Sequence, residues 1–164
     1  MSHCAIVRQE RERDVTYFSR VATTPPDRAV KPGDSFSLDV DFDARSIAEF
    51  AERTGDRNPV HTDPQAGATS RFGTRIASGQ HVISLMLGLA ATWMAQRGTS
   101  FGLGCSFRFT AAVREGDEIA LRWTVTETVF KESLRGMIVV LQGTATNAAG
   151  LICCRGRLEM LLQS

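Results

Sequence analysis

GQHVISLMLGLAATWMAQ, Gly79 to Gln96, is the longest apolar run in the chain, and its reading decides the fold. It is apolar on nearly every helical face, so a helix here has to be wrapped by other elements. The run is short for a bilayer span and sits between polar loops, which predicts a buried helix and no transmembrane segment. The wrapping material follows at once. Four strand-like runs, roughly Ser100 to Val113, Glu118 to Lys131, Leu134 to Asn147 and Leu151 to Leu162, are divided by turn-forming residues. EIALRWTVTETVF, Glu118 to Phe130, alternates cleanly through Ile119, Leu121, Trp123 and Val125, as a strand with one buried face should. EGD at Glu115 to Asp117 and NAAG at Asn147 to Gly150 read as turns.

Upstream, SFSLDVDF alternates through Phe36, Leu38, Val40 and Phe42 and predicts one further strand. Asp43 then suits an N-cap, ARSIAEFAERT carries Ile47, Phe50 and Ala51 at helical spacing, and Gly55 is placed to end that helix. A loop from Asp56 to Ser78 follows, with one turn of helix starting at Pro64 behind Asp63. A strand, a long buried helix and an antiparallel meander amount to an α+β architecture, a curved sheet rolled around a single helix. Residues 1–33 differ from the rest, with mixed charges from Arg8 to Asp14 and a proline-rich connector. They are expected to form an extension to a domain spanning residues 34–164.

Bulk properties narrow the function little. The 164 residues carry 43% apolar and 23% charged side chains and a formal net charge of +1. Those values are ordinary for one globular domain and give no global drive toward nucleic acid or membrane. The N-terminal stretch lacks the apolar core of a secretory signal, so a cytoplasmic protein is expected. Cys4, Cys105, Cys153 and Cys154 show neither zinc spacing nor a disulfide framework and read as reduced thiols.

The chemistry concentrates in TGDRNPVHTDP, Thr54 to Pro64. Asp56 and His61 are five positions apart, a separation that neither a helix nor a strand brings to one point. They converge only if the chain curls. Gly55 permits unusual backbone angles, while Pro59 fixes its own φ and pushes Asn58 out of the helical region, which favours a rigid bend. A converging carboxylate and imidazole can hold and deprotonate a water. Asp, Asn, Pro and Gly are equally the commonest turn formers, and on spacing alone an ordinary polar turn is the simpler reading. IASGQH, Ile76 to His81, then places Ser78 and Gly79 at the start of the apolar helix. Free amides and the dipole there favour developing negative charge, and Gly79 lets a substrate carbonyl approach the backbone. Ser78 as a cap and Gly79 as a packing glycine are the plain alternatives. No Asp or Glu lies between Asp63 and Glu115, whereas Arg71, Arg75, Arg97, Arg108 and Arg114 do. That stretch suits the phosphates of an acyl carrier, with Arg71 and Arg75 nearest the loop; separately paired surface arginines are the alternative.

Taken together, TGDRNPVHTDP, SRFGTRIASGQH and the apolar helix resemble the MaoC-like (R)-specific enoyl-CoA hydratase family over about Val40 to Leu161. The resemblance implies a hot-dog fold and a hydro-lyase that adds water to trans-2-enoyl thioesters. It implies Asp56 and His61 as the catalytic pair, Gly79 as the backbone oxyanion donor, and Asn58 and Ser78 in support. Two departures stand out: Ala66 and Gly67 where relatives carry a bulky residue and alanine, and Ser78 where many carry histidine. The implied substrate is an acyl-CoA or acyl-carrier thioester, with no metal, no separate cofactor, and a homodimer or higher homo-oligomer. A hot-dog thioesterase and a non-catalytic acyl-thioester binding subunit are the competing readings. The first lacks its expected helix carboxylate between Gly79 and Gln96.

Overall fold

The computed structural model describes residues 29–163, and the extension expected over residues 1–33 lies outside them except for its last five residues. Of those, Val30 is already buried in the core, and the Gly33 N–H donates to the Val125 carbonyl at 2.9 Å. The chain then runs β1 (Ser35–Asp41), α1 (Ala44–Thr54), α2 (Pro59–Thr62), α3 (Pro64–Thr69), α4 (Gly79–Ala95), β2 (Thr99–Phe109), β3 (Glu118–Lys131), β4 (Gly136–Asn147) and β5 (Ile152–Gln163). The five strands form one antiparallel sheet in the order β1-β3-β4-β5-β2, against which α4 packs. This is the α+β, hot-dog arrangement expected.

Local chemistry accounts for the element boundaries. The Asp43 carboxylate accepts from the Ser46 N–H at 2.7 Å and starts α1, and Gly55 ends it in the left-handed region at φ 72°. The Ser78 hydroxyl accepts from the His81 N–H at 3.3 Å and starts α4. In β1, Phe36, Leu38 and Val40 are buried, as the alternation requires.

The join between helix and sheet is made by Trp123 of β3, which is fully buried. Its indole N–H donates to the Met86 carbonyl of α4 at 2.8 Å. The ring lies over its cross-strand neighbour Gly143, where an added methyl would clash with it. Phe107 meets Trp123 edge-on and covers Gly156 in the same way. At the far end of α4, Phe36 stacks on Trp93 at 4.4 Å.

The sheet and α4 depart from expectation in three places. The strand expected to reach Val113 stops at Phe109; Thr110 and Ala111 instead donate their N–H groups to the Cys153 carbonyl and leave the ladder. The strand expected from Leu134 starts at Gly136, because a single 3₁₀ turn precedes it and Arg135 sits in the left-handed region at φ 46°. Nor is α4 wrapped on every face. Gln80, Ser84 and Ala91 are exposed and Ile83 and Leu87 only half-buried, a stripe at helical spacing that one sheet cannot cover. Among Cys105, Cys153 and Cys154 no disulfide forms; Cys4 lies outside the described residues.

Gly143→Ala is expected to cost about 1–3 kcal/mol, the usual penalty for overpacking a core. Gln142→Ala, one residue away on the exposed face, should change stability by less than about 0.5 kcal/mol. Urea unfolding of the two variants beside the parent protein measures both.

Candidate active site

The curl that Asp56 and His61 need is supplied by two backbone devices. After Gly55 the chain leaves α1, and the Asp56 carboxylate accepts the Asn58 N–H through Oδ1 at 3.1 Å. Asn58 then caps α2 by accepting the Val60 N–H at 3.3 Å, with Pro59 in the first helical position. The bend is therefore followed by a fresh turn of helix that the sequence reading did not assign. Its effect is to carry His61 round to face Asp56, with Nε2 to Oδ2 at 3.5 Å.

The other imidazole nitrogen fixes the orientation. His61 Nδ1 lies 2.7 Å from the Ile76 carbonyl, which can only accept, so Nδ1 carries the hydrogen. The Ile76 N–H in turn donates to the Val60 carbonyl at 3.2 Å, tying the same two segments together. In the tautomer with its single hydrogen on Nδ1, His61 presents an Nε2 lone pair toward a carboxylate oxygen. Two acceptors face each other with no hydrogen between them, an arrangement that a water donating to both would satisfy. His61 is buried, and the Asp56 side chain is 23% exposed.

His61 opens onto a cavity of about 800 Å³ that also includes Arg71, Gly79, Gln80, Ile83 and Phe109 in its lining. Gly79, the first residue of α4, has no helical carbonyl one turn back for its N–H. A side chain at this position would displace the Phe109 ring: an added methyl would sit 2.5 Å from its Cζ. Ser78 is buried and spends its hydroxyl on the cap.

The two candidate arginines separate. Arg71 lines the cavity with its guanidinium 4.8 Å from the Phe72 ring centre. Arg75 is instead ion-paired through Nε with Glu115 at 2.8 Å and is absent from the lining. Residues missed by sequence reasoning include Phe109, Leu151 and the Thr110 to Val113 segment, all cavity-lining. The only signal for them was the end of an alternation misread as continuing strand. Gly67, noted above as a departure, is buried against the backbone of Arg75, where an added methyl would lie 2.5 Å from the amide nitrogen.

His81 takes no part in the pair. It stacks flat on Phe50 at 4.4 Å and tilts against Phe42. Among the described residues, no group of three or more His, Cys, Asp or Glu side chains is placed to hold a metal ion. No helix among them is long and apolar enough to cross a membrane.

The profile of the MaoC like domain matches residues 13–149, most of the chain, with Asp56, His61 and Gly79 inside the match. The chain belongs to the MaoC-like family. Among its relatives, the (R)-specific enoyl-CoA hydratase of Aeromonas caviae is 33% identical over 99 residues, 60% of this chain and 73% of that one. A 3-hydroxybutyryl-CoA dehydratase of Methylorubrum extorquens is 33% identical over 92 residues, covering 56% of this chain and only 58% of its own length. The unliganded R-hydratase PhaJ1 of Pseudomonas aeruginosa superposes with a TM-score of 0.74 at 30% identity, covering 82% of this chain and 83% of that one. The (R)-hydratase structure from A. caviae gives 0.72 at 30% identity, over 82% and 98% respectively.

Burial pushes the His81 imidazole of this MaoC-like chain down to about 4, and the nearby Asp43 charge only partly opposes it. The native state therefore refuses a proton that the unfolded chain accepts once the pH falls below about 6.5. Stability should be full above that value and decline as the pH falls toward 4, by on the order of 3 kcal/mol from this group. His81→Phe, which keeps the stack and removes the titration, should flatten the fall between pH 6.5 and 5 in urea titrations.

Proposed function

We propose that this chain catalyses the reversible syn-hydration of a trans-2-enoyl thioester to the (R)-3-hydroxyacyl thioester. The observation that carries the reading is the Nε2–Oδ2 approach of 3.5 Å beside the cavity of about 800 Å³ that His61 lines. One water donating a hydrogen to each acceptor is held with its oxygen lone pair toward the cavity. As that oxygen bonds to C3, a proton passes to the dyad and the C2–C3 π electrons move onto the thioester as an enolate. A proton then reaches C2 from the same face, the enolate collapses, and the dyad is restored. General acid–base help of this kind contributes about 10²–10⁴-fold.

The Gly79 N–H, at the positive end of α4, is the donor proposed for the enolate oxygen, a role worth roughly 10²–10³-fold per donor in comparable sites. The thioester itself stabilises charge at C2, so the step needs no metal and no cofactor beyond the coenzyme A or phosphopantetheine already on the substrate. Arg71, which lines the cavity and pairs with no carboxylate among the described residues, is proposed to meet the carrier phosphates; Arg75, committed to Glu115, acts instead through the loop it braces. A thioesterase is disfavoured because α4 carries no carboxylate along its length.

The same reading includes a homodimer. The edge strand β2 is exposed along most of its length, with Phe101, Leu103 and Phe109 each about half accessible. A second copy adding its own edge strand would pair the open edge of β2.

Loss of enoyl absorbance with crotonyl-CoA and a longer enoyl-CoA, coupled to an (R)-specific dehydrogenase, tests the chemistry. Asp56→Asn and His61→Gln should each lower kcat at least a hundredfold with little change in unfolding midpoint. Free thiol released without hydroxyacyl product would replace this reading with a thioesterase; saturable thioester binding without turnover would replace it with a binding subunit. Light scattering at micromolar concentration should give twice the protomer mass, and a monomer would refute the dimer.

A further inference from the structure

The face of the sheet turned away from α4 carries an unusual pattern. Trp123 faces the helix, and side chains alternate along a strand, so its neighbours Arg122 and Thr124 face outward. The register carries each of them across the sheet as a ladder. One ladder runs Ser37, Arg122, Thr144, Arg155, Arg108. The other runs Ser35, Thr124, Gln142, Arg157, Ser106. All ten side chains can donate a hydrogen bond, and none is a carboxylate. Crossing five strands makes each ladder about 19 Å long, and two residues along a strand set them about 7 Å apart.

The same face carries carboxylates at Asp39, Asp41, Glu118 and Glu159, but none of them stands in either ladder. Arg157 is ion-paired with Glu159, but Arg108, Arg122 and Arg155 form no ion pair among the described residues. Arg155 stands directly opposite Arg108, a cross-strand pairing of like charges that destabilises a sheet unless an anion bridges it. Between the ladders, with Gly143 and Gly156 in its lining, is a shallow cavity of about 780 Å³.

We propose that this trough binds a small soluble ligand carrying two or more phosphate groups, at a site separate from the catalytic cavity on the opposite side of the sheet. Guanidinium pairs and hydroxyls spaced by the strand repeat match tetrahedral oxyanions, which arginine holds bidentately. The cavity is of small-molecule size. The ladders offer no aromatic or aliphatic anchor of the kind that a protein partner's interface core requires. Arg108 and Arg155, at the β2 end of the first ladder, make the main contact.

Sodium tripolyphosphate, titrated calorimetrically into the full chain at 150 mM salt, is the probe. Saturable binding at one ligand per protomer is expected, with Kd raised at least tenfold in Arg108→Gln/Arg155→Gln and less in the corresponding double lysine variant. Thermal unfolding gives an independent reading. Without the probe the double glutamine variant should melt no lower than the parent, because a like-charge contact has been removed. With the probe only the parent should gain in Tm. Absence of saturable binding, binding by the glutamine variant within twofold of the parent, or equally tight binding of a polyglutamate peptide would each overturn the proposal.

Discussion

The fold depends on one buried contact, the indole of Trp123 between sheet and helix. A buried indole N–H must find an acceptor, and here it finds a carbonyl of α4 and not another strand. The ring can lie flat on the sheet only because Gly143 stands opposite it, with Gly156 one strand further on. Those two glycines let the sheet come close to α4 without interrupting the ladder. The Phe36–Trp93 stack fixes the C-terminal end of the helix, with the Arg97 guanidinium 3.5 Å from the Trp93 ring centre. Just ahead of its N-terminus the Ala77 N–H donates to the Val113 carbonyl at 2.8 Å, and that N-terminus carries Gly79 to the cavity wall.

Much of this was legible in the sequence. The alternation Ile119, Leu121, Trp123, Val125 and the apolar run from Gly79 to Gln96 are periodic signals, and periodicity is what burial on one face or all faces writes into a chain. Asp43, Ser78 and Gly55 were legible because caps act on neighbours three or four residues away. The pairing of Asp56 with His61 was legible only as a possibility. It rests on an aspartate turn, one turn of helix and a carbonyl fifteen residues downstream, and no local pattern encodes that third partner. Arg75 shows the same limit. Its position near the loop suggested a substrate contact, whereas its partner Glu115 is forty residues away.

The two faces of the sheet are written in different ways. The inner face follows from hydrophobicity read along each strand. The outer face makes sense only across strands, because Arg155 and Arg108 become neighbours through register and are far apart in the chain. A pattern of donors spread over five strands looks in sequence like the unremarkable polar half of five separate alternations.

The hydrogen on His61 is held by the main-chain oxygen of residue 76, and every amino acid has that oxygen. No substitution at position 76 can delete the acceptor; only one that shifts the backbone could misplace it. The imidazole's protonation pattern is thus insulated from sequence drift in a way that the Asp56 carboxylate, a side chain, is not. Descendants of this chain could change residue 76 freely and keep the same tautomer, so divergence there would leave no trace of the contact that orients the histidine.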